Sequence, residues 1–255
     1  AYALGFDSIQ VHEAVHLFGD TAKPNCNLTI NFAFARQSSD VRLKDSLNSF
    51  FLFACFGDRY MTLTPEEAVK SYTERYVNDY RSDLEPMYRQ EEEEDNIGNW
   101  YYYYKGIESN VQLCNSLLLT YRIDYNEYTG GAHGIYTTSF LNFDLRSLNV
   151  IRLDDLFEED YQETLTDLLW KQLMADRKVG TRQELEEMGY GITGPLEPTE
   201  NFYLSPKGIN FYYNVYDIAP YSMGTTEITL PYEEIAPLMS SEFSTLSRTI
   251  KANDQ

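Results

Sequence analysis

Tyr128-Thr129-Gly130-Gly131-Ala132-His133-Gly134 is flanked on both sides by residues that alternate in character. Upstream, Leu117, Leu119, Tyr121, Ile123 and Tyr125 alternate with Leu118, Thr120, Arg122, Asp124 and Asn126. Downstream, Ser139, Leu141, Phe143 and Leu145 alternate with Phe140, Asn142 and Asp144. A period of two puts successive side chains on opposite faces of a strand. Three glycines around one histidine make a turn that needs positive φ or close backbone approach. The stretch predicts a long β-hairpin.

Outward from the hairpin, toward the N-terminus, strands and helices alternate. Ile9, Val11, Glu13, Val15 and Leu17 have strand spacing, and residues 28–35 form a second apolar strand. Ser39 or Asp40 is placed to cap a helix carrying Leu43, Leu47, Phe50, Phe51 and Ala54 on one face, closed by Gly57. Thr64-Pro65-Glu66-Glu67 combines a cap, a first-turn proline and a Glu three residues after the cap, a strong helix start. Val69, Tyr72, Tyr76, Tyr80 and Leu84 follow at helical spacing, with Pro86 expected to end the helix nearby. The acidic run 91–95 reads as a solvated loop, and residues 101–104 are a continuous tyrosine run opening the β region.

Toward the C-terminus, residues 153–157 read as a short turn. Asp160 and Glu163 are placed as a capping box for a helix carrying Leu165, Leu168, Leu169, Leu173 and Met174, with Gly180 as its stop. Thr181 to Glu184 starts a short helix, and residues 189–198 form a loop with three glycines and two prolines. Residues 202–204 and 209–213 make a hairpin through Ser205-Pro206-Lys207-Gly208. A strand at 227–230 and a last helix at 232–239 follow. The class expected is α+β, mainly antiparallel sheets with packed helices in two abutting subdomains, 1–145 and 146–255.

Twenty Lys and Arg stand against forty Asp and Glu, a net charge of −20 in 255 residues. Such a surface repels phosphate backbones and anionic headgroups, so nucleic acid is excluded as a partner and a cationic one is favoured. There is no 18-residue apolar run to span a membrane. The chain opens without Met or a basic-then-apolar leader, and is expected to be a processed chain whose signal or lipid anchor has been removed. Cys26, Cys55 and Cys114 are odd in number and lack C-x-x-C spacing, arguing against a disulfide scaffold or zinc site. They are expected to be buried small apolar residues.

His133 is the sharpest candidate side chain, either as an acid–base group or as a brace bonding a carbonyl of its own turn. His12 and His16 have helical metal-pair spacing, but on a strand they lie about 13 Å apart and cannot share one ion. The acidic cluster from Asp154 to Asp160 lacks the alternating pattern of a calcium loop, and capping is its expected task. Neither metal nor cofactor is expected. Twenty-two tyrosines against fourteen phenylalanines exceed what a core needs, because each hydroxyl must be satisfied. Tyr216, Tyr221 and His133, with Gly131 and Pro220, are expected to border a recognition groove.

The glycine turn, Asn142-Phe143-Asp144-Leu145, Leu153-Asp154-Asp155-Leu156-Phe157, Gly208-Ile209-Asn210-Phe211, Tyr216-Asp217-Ile218-Ala219-Pro220-Tyr221 and Leu230-Pro231-Tyr232 occur in an order that resembles a known pair of domains. The chain is similar to the extracytoplasmic region of RsiV-type lysozyme-sensing anti-sigma factors. It also resembles the non-catalytic region of PdaC-type peptidoglycan deacetylases and uncharacterised lipoproteins of Bacteroides-like bacteria. Neither a sigma-binding segment nor a deacetylase domain falls within these 255 residues. The resemblance implies an extracytoplasmic, non-enzymatic binding protein whose partner is a lysozyme-like cationic protein or a peptidoglycan fragment. The alternative is a hydrolase of cell-wall glycan using His133.

Overall fold

A computed structural model describes residues 3–95, 98 and 100–252. The chain forms two compact units: Ala1–Asn110 with Ile123–Tyr136, and Val111–Arg122 with Thr137–Gln255. A six-stranded sheet follows chain order, β1 (Leu4–His16), β2 (Asn25–Ser38), β3 (Tyr103–Cys114), β4 (Leu118–Thr129), β5 (Ile135–Asp144) and β6 (Asn149–Val150). A second sheet has three strands, β7 (Phe202–Ser205), β8 (Gly208–Tyr213) and β9 (Thr226–Pro231). Pairing is antiparallel except where β2 meets β3 in parallel. The fold is α+β, and the hairpin through the glycine turn is β4–β5.

In the first unit the parallel β2–β3 step requires a crossover. Two helices supply it, α1 (Val41–Phe56) and α2 (Pro65–Glu93). Asp40 caps α1, its carboxylate accepting the amides of Arg42 and Leu43 at 2.9 and 3.4 Å. Gly57, at φ 104°, ends it. Leu28, Ile30 and Phe32 of β2 are buried, as are Leu43, Leu47 and Phe51 of α1. Each such side chain contributes about 1.5–3 kcal/mol.

The capping box at α2 forms as read, Thr64 Oγ1 accepting the Glu67 amide at 3.2 Å while Glu67 returns the contact to Thr64. The helix does not end at Pro86. It continues to Glu93, taking in three of the five residues of the acidic run. Leu84 and Tyr88 are buried on either side of Pro86, which is itself exposed, and their burial carries the helix through. An interior proline costs a helix about 3 kcal/mol relative to alanine. Pro86→Ala is therefore expected to raise stability by about 1–2 kcal/mol in a urea titration; no gain would show that the proline carries no net cost in this helix.

The second unit contains α3 (Leu153–Leu156), α4 (Gln162–Arg177), α5 (Arg182–Met188), α6 (Tyr232–Ile235) and α7 (Ser241–Ala252). Leu165, Leu169 and Leu173 of α4 share one core with Phe211 of β8, Ile228 and Leu230 of β9, and Phe243, Leu246 and Ile250 of α7. Three sequence expectations are corrected. Asp160 is a left-handed residue at φ 60°, and Tyr161 occupies the cap position of α4. The helix stops at left-handed Lys178, two residues before Gly180. A further helix, α7, follows the one expected to be last. Among the cysteines, Cys26 and Cys55 are buried but Cys114 is exposed.

Three asparagines tie β5 to its neighbours. Asn214 accepts the Thr138 amide at 2.8 Å and donates to the Thr138 carbonyl at 2.9 Å. Asn201 accepts the Phe140 amide at 2.9 Å and donates to the Thr138 and Tyr212 carbonyls. Buried Asn142 donates to the Phe202 carbonyl at 2.7 Å and accepts from Thr120 Oγ1 at 2.9 Å. β6 pairs only with Phe143 and Asp144, so side-chain amides serve the edge of β5 beyond it.

Candidate binding surfaces

His133 and Gly131 belong to the first unit; Tyr216, Pro220 and Tyr221 belong to the second. In the glycine turn, Gly130 has φ 78° and its Cα lies against the Trp100 carbonyl, where a Cβ would overlap backbone. Gly131 faces open space, and its carbonyl accepts the Tyr128 hydroxyl at 2.8 Å. His133 is exposed, with Nδ1 at 3.1 Å from the Gly134 carbonyl. That bond requires the proton on Nδ1 and suits the bracing role. Trp100, Tyr102, Tyr104 and Tyr136 of the same unit are 39–49% exposed. The tyrosine run hides this pattern. Tyr101 and Tyr103 turn inward to meet Tyr88 and Tyr80, while Tyr102 and Tyr104 turn outward.

In the second unit the structure does bring Tyr216, Pro220 and Tyr221 together. Tyr216 sits at φ 71° with 46% of its surface exposed, its ring centroid 5.5 Å from that of Tyr221. Ile218 and Ala219 between them are buried and anchor the segment. The glycine-rich loop at 189–198 lies against it. Gly191 donates to the Ile218 carbonyl at 2.7 Å, and the Gly194 Cα is packed on the Asp217 carbonyl, leaving no room for a Cβ. Gly189 faces Pro220 and Met223. Below the loop, buried Tyr213 donates to the Glu197 carbonyl at 2.7 Å, and burial pushes its phenol well above the ordinary range. Glycines thus permit close backbone approach, and a buried phenol pins the loop. Exposed Tyr216 and half-buried Tyr221 stand on a built support.

Elsewhere the candidate chemistry resolves into local contacts. His12 Nδ1 lies 3.3 Å from Thr29 Oγ1, and His16 Nδ1 lies 2.8 Å from the Lys23 carbonyl. Asp155 accepts the Arg152 amide at 2.9 Å as a cap of α3, and Asp154 accepts the Tyr161 hydroxyl. Among the described residues no group of three His, Cys, Asp or Glu converges as metal ligands would. No helix among them is long and apolar enough to cross a membrane.

Two family models match the chain, "Protein of unknown function (DUF3298)" over residues 154–233 and "Deacetylase PdaC" over residues 21–136. The chain is similar to a DUF3298 family member from Bacteroides fragilis NCTC 9343 of known crystal structure. Identity is 61%, 98% of each chain is covered, and the TM-score is 0.95. A DUF3298 family protein from Pseudomonas aeruginosa PAO1 shares the fold at 18% identity, covering 94% of this chain and 96% of that one, with a TM-score of 0.64. No curated protein matches the chain.

Proposed function

We propose that this chain, which belongs to the DUF3298 family, is an extracytoplasmic, non-enzymatic binding protein of the bacterial envelope. The finer likeness to RsiV-type regulators makes a cationic, lysozyme-like protein its leading partner, with a cell-wall fragment as the other. The observation that supports binding is Tyr216. A non-glycine residue at positive φ costs roughly 1–3 kcal/mol, and an exposed ring recovers little of that by packing. Strain held in place by a braced loop, with the exposed ring of Tyr216 tilted against half-buried Tyr221, is what a recognition site requires. The net charge of −20 adds long-range attraction for a cation, which salt screens. The contact of His133 with the Gly134 carbonyl supports a bracing rather than a hydrolytic role.

Charge alone would draw lysozyme weakly to any acidic protein, so the test is specificity. Lysozyme is titrated calorimetrically into the parent chain and into Tyr221→Ala and Tyr216→Ala at moderate salt. Micromolar or tighter binding by the parent, weakened about tenfold or more in both variants, is the expected outcome. Equal, weak and salt-sensitive binding by all three would reduce the interaction to bulk charge.

A further inference from the structure

The sheet of the first unit has one face covered by α1 and α2 and another that is exposed. On the exposed face the strand register aligns three rows. Gln10, Asn31 and Glu108 form the first; His12, Thr29 and Gly106 the second; Ala14, Asn27 and Tyr104 the third. Asn126 of β4 extends the second row, its side-chain amide about 3 Å from where a Cβ of Gly106 would stand. In a chain of forty acidic residues the stretch of these rows across β1 to β3 holds one carboxylate, Glu108, and no Lys or Arg, while Asp124 and Arg122 follow Asn126 on the same face of β4.

The face is shaped as well as neutral. Thr29 and Gly106 are small, and Gln10, His12, Thr29, Asn31 and Glu108 line a shallow concavity of about 400 Å³. Tyr104 borders Gly106 along β3. Its hydroxyl lies 2.9 Å from the Cβ position of Gly106, so the ring is folded down along the strand rather than standing away from it. The residue is 39% exposed. Among the described residues the side chains of Gln10, Asn31, Glu108, Tyr104 and Asn126 make no hydrogen bond to the protein.

We propose that this face binds a neutral glycan, laid across β1 to β3 with a sugar ring on Tyr104 and its hydroxyls on the amides of Gln10, Asn31 and Asn126. The chemistry selects the ligand. Amides and a carboxylate satisfy hydroxyl donors and acceptors alike. A flat ring offers the apolar face of a pyranose its contact. The absence of Lys and Arg across β1 to β3 disfavours phosphate or carboxylate ligands there, and the lack of large aliphatic side chains disfavours an apolar protein surface. Three rows span on the order of 13 Å along the strands, room for a few sugar units. This inference is independent of the tyrosine pair in the second unit.

The test is calorimetric titration of the full chain with cellohexaose and chitohexaose, with an oligomannuronate of equal length as the charged control. Binding of a neutral hexasaccharide and not of the oligomannuronate is expected. Tyr104→Ala should weaken it about tenfold, and so should Asn31→Ala, with the thermal melts of both unchanged. Tyr221→Ala should leave it intact, which separates this result from the lysozyme titration. If neither neutral oligosaccharide binds, if the charged one binds as well, or if Tyr104→Ala and Asn31→Ala both bind like the parent, the proposal fails.

Discussion

Alanine in place of Gly130 should cost about 3 kcal/mol of stability, whereas alanine at adjacent Gly131 should change it by under about 0.5 kcal/mol. Gly130 has φ 78°, which alone costs an L-residue about 1–2 kcal/mol, and its added methyl would overlap the Trp100 carbonyl. Backbone cannot swing aside as a side chain can, so the turn or the Trp100 segment must shift. Gly131 has neither constraint. Urea unfolding of the two variants beside the parent reads the difference directly. Equal stabilities would mean that the turn relaxes freely, and the close approach would then have no structural weight.

Asn142→Ala is expected to destabilise by about 3–4 kcal/mol. The residue is 2% exposed and serves two buried partners, the Phe202 carbonyl and the Thr120 hydroxyl. Truncation leaves both groups unpaired away from water, and each orphan costs about 1–3 kcal/mol. A cavity adds to this. Thermal unfolding of Asn142→Ala and of the double variant with Thr120→Val separates the contributions. The second substitution should recover part of the loss by removing one orphan. No recovery would place the cost on the Phe202 carbonyl.

Sequence chemistry that acts within a few residues was legible. Asp40, the Thr64 box, the glycine turn and the proline-led hairpin each depend on contacts inside one turn of chain. Features decided by distant partners were not. Pro86 lies inside a helix because Leu84 and Tyr88 are buried, and α7 was hidden by its serines and threonines, poor helix formers outweighed by Phe243, Leu246 and Ile250. The parallel β2–β3 pairing joins segments some seventy residues apart, and local pattern carries no trace of it. Of the candidate surfaces, the loop glycines and Pro220-Tyr221 could be singled out by composition. The left-handed backbone of Tyr216 could not, because tyrosine carries no signal for it. The neutral sheet face emerges only once register aligns Gln10 with Asn31 and Glu108.

The amides on β5 also bear on how the protein behaves in company. A strand edge with open amides and carbonyls is a template on which another chain can crystallise as an added strand. Proteins commonly guard such edges with charge, proline or a covering helix. Here Asn201 and Asn214 occupy the donor and acceptor positions at Thr138 and Phe140 that an incoming strand would need. They mimic a neighbour without being one, since a side chain offers one short bite of the ladder and nothing onto which a further strand can be added. The edge is terminated as well as satisfied, and the protein gains protection from fibre-like self-assembly with two residues.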